Sequence, residues 1–304
     1  MHILIAGATG FIGRHLVRAL QDHHLITALG RNHAKLQQTF AQPVHVCTWD
    51  NLKQLPAKDL DVVINLSGSN IAAKRWNPPV KQELIDSRVK TNAQLIHWLI
   101  TNQAKPHYYC ANAVGFYGIQ PKSDPTAFDE NTPIDTLHPK DFLNEIGIRW
   151  QQAVQPAIDD GIPVTITHFG VVLDKNAGML KKLRPSFNLG LGSIIGDGQQ
   201  IISWVHIQDV INAFQFLMAH PQITGRINIT SPQPVTQTEF AQTLAKKLHK
   251  PLFLKFPAFM VRLLFGEMGD SLLNSGQRVI PTRLLQLNFE FQYPNLSSAL
   301  HALA

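Results

Sequence analysis

The first twenty residues constrain the fold most. His2-Ile3-Leu4-Ile5-Ala6 is an apolar run too short for a helix, and Gly7-Ala8-Thr9-Gly10-Phe11-Ile12-Gly13 follows it directly as a G-x-x-G-x-x-G. Beyond the glycines, Ile12, His15, Leu16, Ala19 and Leu20 recur at helical spacing. The order is strand, glycine turn, helix. In such a unit Gly7 permits the tight turn, Gly10 lets a pyrophosphate approach the backbone, and Gly13 lets the helix pack close to the strand. The helix N-terminus adds free N–H groups and a partial positive charge. The unit predicts a dinucleotide ligand, with Gly7, Thr9, Gly10, Phe11, Ile12 and Gly13 as its candidate contacts.

The pattern repeats along the chain. Strand candidates follow at Leu25–Leu29, Val44–Cys47, Val62–Leu66, His107–Cys110, Val164–Thr167 and Ile227–Ile229. Between them lie helical stretches at Phe11–His23, from about Val80 to Asn102, and from about Phe142 to Asp160. Pro78-Pro79 opens the long one, whose inner stripe reads Leu84, Ile85, Val89, Ala93, Ile96 and Leu99. Alternation of this kind predicts an α/β fold with a doubly wound parallel sheet, and a ligand across the carboxyl ends of the strands. Residues 174–202 are glycine-rich and read as a long loop insert. From Pro232 the chain reads as helices, one opened by the capping box Thr236-x-x-Glu239. The expected division is a nucleotide-binding domain over 1–230 and a smaller, mainly helical substrate lobe over 231–304.

Composition excludes several classes. The chain has 304 residues, 44% hydrophobic and 16% charged, enough for a sizeable core. No apolar run is long enough to span a bilayer and Met1-His2-Ile3 leads straight into a strand, so a cytoplasmic location without membrane insertion is expected. Cys47 and Cys110 follow strand-like runs without metal spacing, and the 14 histidines form no H-x-x-x-H or H-E-x-x-H pattern, so no metal site is expected. The net charge of +6 is spread along the chain, which suits a phosphorylated cofactor better than nucleic acid.

The second strand ends in Leu29-Gly30-Arg31, where an NAD enzyme of this kind places an acid on the ribose 2′-OH. A guanidinium suits a 2′-phosphate instead, so the expected cofactor is NADP(H), unless Arg31 is simply solvated. Asp50 is a candidate for the adenine amino group, and Leu66, Ser67 and Gly68 for the cofactor wall after the fourth strand.

Taken with Lys74-Arg75-Trp76, Asp86-Ser87-Arg88, Ala113–Gly118, Gly170-Val171-Val172-Leu173, Ser203–Asp209 and Ser275–Pro281, these features resemble the short-chain dehydrogenase/reductase superfamily in its extended, atypical branch. More narrowly, the whole chain looks like the nucleoside-diphosphate-sugar epimerase-like family with a C-terminal domain of unknown function. The resemblance implies an NADP-binding Rossmann fold and a C-terminal substrate lobe. It also implies a Ser or Thr followed by Tyr-x-x-x-Lys, in which Tyr trades a proton with substrate while hydride moves to or from nicotinamide. Here the Ser position falls at Asn112 or Ala113, the Tyr at Leu143 and the Lys at Gly147. Trp150-Gln151 and His168-Phe169 stand where the family has Trp-Glu and Arg-Thr.

Other groups are therefore candidates for the chemistry. Tyr117 is a substitute proton donor or else a packing aromatic, and Asn112 is the remaining polar group at the matched Ser position. Lys74 and Arg75 could hold an anionic substrate or form a solvated pair; Trp204, Gln277 and Arg278 are further substrate candidates. Asp209 lines the cleft or caps a helix Val210–Met218. Two functions follow: an NADP-dependent oxidoreductase or epimerase acting on a polar carbonyl or sugar, or a non-catalytic NADP(H)-binding sensor or partner-binding protein.

Overall fold

The computed structural model describes residues 1–40 and 42–303; Ala304, the end of the expected lobe, lies outside them. The strands begin with β1 (His2–Ala6), β2 (Leu25–Gly30), β3 (His45–Thr48), β4 (Val62–Asn65), β5 (His107–Ala113) and β6 (Val164–Phe169). Four short strands follow, β7 (Val171–Asp174), β8 (Ser193–Ile195), β9 (Ile201–Ile202) and β10 (Trp204–His206), then β11 (Gly225–Ile229), β12 (Val235–Thr236) and β13 (Leu254–Phe256). Seven of these make the main sheet in the order β3-β2-β1-β4-β5-β6-β11, all parallel. The order reverses between β1 and β4, which is where a doubly wound sheet opens a ligand crevice. Parallel strands covered on both faces need near-continuous burial, and β4 and β6 are buried along their whole length.

The helices are α1 (Phe11–Leu20), α2 (His33–Thr39), α3 (Pro78–Thr101), α4 (Phe142–Gln152), α5 (Gln155–Asp159), α6 (Gly178–Asn188) and α7 (Ile207–Ala219). The C-terminal part adds α8 (Gln237–Lys247), α9 (Ala258–Phe265), α10 (Glu267–Leu272), α11 (Thr282–Gln286) and α12 (Leu296–Ala302). The capping box at Thr236 and Glu239 forms as the sequence predicts. Among the described residues no helix is long and apolar enough to cross a membrane. Cys47 and Cys110 are buried free thiols.

Three expectations need correction. The helix expected over 142–160 is two helices, because Pro156 has no N–H and its ring would collide with the carbonyl four residues back. The inner stripe of α3 runs through Arg88 and Asn92, while Val89 is half-buried and Ala93 is exposed. Both polar groups are tolerated inside because they find hydrogen-bond partners there. The segment 174–202 is not one long loop. It holds α6, whose Leu180, Leu183 and Phe187 lie on one face despite Pro185, and the strands β8 and β9.

The main core fills both faces of the sheet. A second core joins Leu173, Leu180, Phe187 and Trp204 to Phe240, Leu244, Leu296 and Leu300, so α6 and the C-terminal helices share one apolar interior across residue 230.

Candidate functional site

The glycine turn is a close-packed cradle. Gly7 sits at φ +75°, in the left-handed region that glycine favours. Its N–H donates to the Leu29 carbonyl at 3.1 Å, and Gly10 N–H donates to the Gly7 carbonyl at 2.8 Å. A Cβ on Gly7 would lie 2.9 Å from the backbone of Leu66, and one on Gly13 would lie 2.5 Å from the Gly7 carbonyl oxygen. The ends of β1, β2 and β4 are thereby drawn to one point. Gly10 caps α1 without a side-chain bond, leaving the helix N-terminus open to a ligand.

A buried amide network fixes the third side of the cradle. Asn65 Oδ1 accepts from Ser67 N–H at 3.0 Å, and Asn65 Nδ2 donates to Asn92 Oδ1 at 2.9 Å. Tyr108 OH donates to the same Asn92 oxygen at 2.7 Å, and Asn92 Nδ2 donates to the Arg88 carbonyl at 2.9 Å. The turn Leu66-Ser67-Gly68 is thus held from inside by α3 and β5. Arg31 follows β2 on the surface, with no ion-pair partner among the described residues. Asp50 is exposed in the first turn of a short 3-10 helix, Trp49–Gln54.

A cavity of about 610 Å³ opens further along the same sheet edge, at the carboxyl ends of β5 and β6. Asn112, Ala113 and Phe169 form its floor and Leu143, Gly147 and Trp150 of α4 one wall; α6, α9 and residues 271–277 close it. Phe11, the first residue of α1, has its ring 3.3 Å from where a Cβ on Gly178 would stand, at the start of α6, whose next residue Met179 lines the cavity. Helix α4 is seated hard on the turn after β5: a Cβ on Gly147 would lie 2.7 Å from Phe116 Cα. Asn112 Nδ2 donates to the Gly147 carbonyl at 2.9 Å and its Oδ1 accepts from Ala113 N–H at 2.8 Å, so this side chain braces β5 against α4.

Arg88 reaches the cavity from α3. It is buried, donates to the carbonyls of Leu84 at 2.8 Å and Ser69 at 3.1 Å, and lies over the Trp150 ring at 4.8 Å. Its Nε has no partner among the described residues, and burial pulls its pKa down to about 10. Asn92 is absent from the sequence expectations, and Arg88 enters them only within the segment Asp86-Ser87-Arg88, with no site role. The available signal is the run Leu84, Arg88, Asn92, Ile96 at intervals of four, two polar groups inside an apolar stripe.

Several expected site residues lie elsewhere. Tyr117 is fully buried, stacks on Phe128 and donates to Asn228 Oδ1 at 2.8 Å; burial drives its pKa far up, and it does not line the cavity. It is a packing aromatic. Trp204 is fully buried in the second core, its Nε1 donating to the Gln233 carbonyl at 3.0 Å. Lys74 and Arg75 are on the surface, Lys74 3.7 Å from Glu83 and Arg75 donating to the Leu263 carbonyl at 3.3 Å. Gln277 does line the cavity, whereas the neighbouring Arg278 does not. Gly276 brings this segment in: a Cβ there would lie 2.0 Å from the Ile201 carbonyl oxygen. Asp209 does not cap α7. His206 does, its Nδ1 accepting from Gln208 N–H at 3.0 Å, while Asp209 accepts the N–H groups of Gln292 at 2.7 Å and Tyr293 at 3.0 Å and so anchors the C-terminal segment.

Known proteins match this architecture end to end. The NAD dependent epimerase/dehydratase family model matches residues 3–230, and a domain of unknown function, DUF1731, matches residues 256–303. The chloroplastic SDR39U1 homolog of Arabidopsis thaliana, an epimerase family protein, is 36% identical over 315 residues, covering 100% of this chain and 86% of the relative. An epimerase family protein of Mycobacterium bovis is 34% identical over 300 residues, covering 98% and 96%. The crystal structure of human epimerase family protein SDR39U1 (isoform 2) with NADPH has a TM-score of 0.88 at 29% identity, covering 100% of this chain and 99% of that one. With the sevenfold parallel sheet and the glycine cradle, these matches place the chain in the NAD-dependent epimerase/dehydratase family.

Proposed function

We propose that the chain binds NADP(H) in the cradle and presents a substrate to it from the adjoining cavity. The observation that carries this reading is the convergence of β1, β2 and β4 at Gly7, where the glycines let the chain pack backbone on backbone and leave the N-terminus of α1 without a side-chain cap. The exposed Arg31 favours the phosphorylated cofactor, since a guanidinium pairs with a 2′-phosphate where an acid would repel it. The NADPH in the human relative's crystal structure supports the same choice. When bound, such a cofactor supplies or accepts a hydride.

The proton side of the reaction is where this chain departs from the superfamily it resembles. At the positions matched to Ser, Tyr and Lys stand Asn112 or Ala113, Leu143 and Gly147. Asn112 is committed to two backbone partners, Leu143 has no titratable group, and Gly147 supplies close packing against Phe116. The family's ordinary acid–base apparatus is lost on this reading, and interconversion of common nucleotide sugars is slow or absent. The same three positions favour a second reading, a binding-only protein that reports the NADP(H) pool or docks a partner.

Calorimetric titration of NADPH and NADH into wild type and Arg31→Ala tests the cofactor assignment. Hydrogen bonds to a charged group contribute about 1.5–3 kcal/mol, so wild type should prefer NADPH by roughly 10- to 150-fold. Arg31→Ala should remove most of that preference. Equal affinities in wild type would overturn the assignment.

A further inference from the structure

The wall of the cavity is chemically one-sided. Among the described residues lining it, Arg88 carries the only formal charge. Most polar side chains there are already committed. Ser186 donates to the Leu183 carbonyl at 2.8 Å and Ser203 to the Gln277 carbonyl at 2.8 Å. Gln237 accepts from Ile195 N–H at 3.0 Å and donates to the Ser193 carbonyl at 3.3 Å. What faces the space from α6, β13 and α9 is Met179, Leu183, Phe187, Phe256, Val261 and Phe265.

That wall is a poor match for a nucleoside diphosphate. Burying two phosphates requires paired cations or open helix N-termini. The two cations expected to serve an anionic substrate, Lys74 and Arg75, lie outside the cavity, one beside Glu83 and the other on a carbonyl of α9. Unpartnered polar atoms remain at two places in the lining, Arg88 Nε at the end bounded by β5, α3 and α4, and Gln200 Oε1 next to β9; of the two only Arg88 carries a charge. Of the large apolar side chains in the lining, Leu191, 55% exposed, and Phe265, 39% exposed, reach the surface, and α9 carries the exposed Phe259 and Leu263 beside Phe265.

We propose that the cavity binds an uncharged long-chain carbonyl compound, its oxygen toward Arg88 and its apolar chain along α6 and α9. The carbonyl head rests on the NADP(H) reading above, because a hydride acceptor needs one; the apolar chain rests on the wall alone. The apolar rim suits entry of such a molecule from an apolar phase.

The test is displacement of a fluorescent apolar probe, aminoanthracene, by straight-chain methyl ketones from butanone to dodecanone, with UDP-glucose as the competing substrate class. NADPH affinity is measured by calorimetry on the same samples. Affinity for the ketones should climb with length by up to about fourfold per buried methylene. UDP-glucose should leave the probe in place. Ser186→Trp and, independently, Leu183→Trp fill the chain end of the cavity; each should weaken dodecanone about tenfold or more while NADPH affinity stays within about twofold. A flat response to chain length, no probe binding, or displacement by UDP-glucose would overturn the proposal. A steep ketone series without NADPH binding would support the apolar site and sink the cofactor reading instead.

Discussion

The cradle at β1 and the cavity at β5 and β6 share one edge of the sheet, yet they are made of different material. The cradle is backbone: Gly7, Gly10 and Gly13 act by lacking side chains, and the loop that meets them is positioned by Asn65 through a main-chain N–H. The cavity is side chain, assembled from α3, α4, α6, α9 and residues 271–277. A backbone site of this kind recognises what every dinucleotide shares. A side-chain site can be rebuilt residue by residue while the cradle stays intact.

The largest expected effect breaks the cradle alone. Gly10→Val should abolish NADPH binding by calorimetry while the circular dichroism spectrum stays native, because a branched side chain there fills the approach to the helix N-terminus. The probe displacement described for the cavity should survive in this variant. Unchanged NADPH affinity in a folded protein would show that the glycines serve packing only.

Acid should act on buried histidines that belong to neither region's lining. His168, on β6 beside Asn112, is fully buried and burial holds its pKa at about 3; His107 and His206 are held at about 4 for the same reason. All three stay neutral in the folded chain, while the unfolded chain takes up protons below the ordinary histidine value of about 6.5. Their contribution is intact above that value and is lost as pH falls toward about 4, at about 1.4 kcal/mol per pH unit for each proton. Urea midpoints taken between these limits should fall steeply, and His168→Phe should remove about one proton from the slope. An unchanged slope in that variant would mean that His168 is already charged or not buried.

The smallest effect sharpens the boundary between the regions. Tyr117→Phe leaves Asn228 Oδ1 without its partner and should cost about 1–2 kcal/mol in denaturant unfolding. NADPH affinity and any NADPH oxidation rate should not change, since the hydroxyl lies outside both sites. A lost rate would restore Tyr117 as a proton donor.

This contrast also explains what was legible in the sequence. The strand–glycine–helix unit, the parallel sheet and the helical C-terminal part could all be read, because period, glycine spacing and capping are local. The cavity could not, since Leu183, Val261 and Gln277 become neighbours only after the chain folds. Glycine count and Pro185 hid α6, whose apolar face is plain once Leu180, Leu183 and Phe187 are aligned. Tyr117 and Trp204 were read as site residues because aromatic groups near motifs look alike in sequence whether they face a ligand or a core. Arg88, quoted only within the segment Asp86-Ser87-Arg88, was given no site role for the opposite reason: a charged residue in a helical stripe reads as surface, and only the carbonyls of Leu84 and Ser69 with the Trp150 ring make its burial tolerable.

The strand order carries one more consequence, for the sequence in which the molecule is made. The strands that bear the cradle, β1, β2 and β4, lie with their neighbour β3 within residues 2–65, so the pairings of this half-sheet close when less than a quarter of the chain has left the ribosome. The pairing of β6 with β11 must wait for residues 225–229, and the cavity for residue 277. At about 5–20 residues per second, the second half of the molecule trails the first by several seconds or more. During that interval β4 is covered by β5 and β5 by β6, and the open edge passes to β6 until β11 arrives, which places the demand for chaperone protection on the nascent middle of the protein and not on either end.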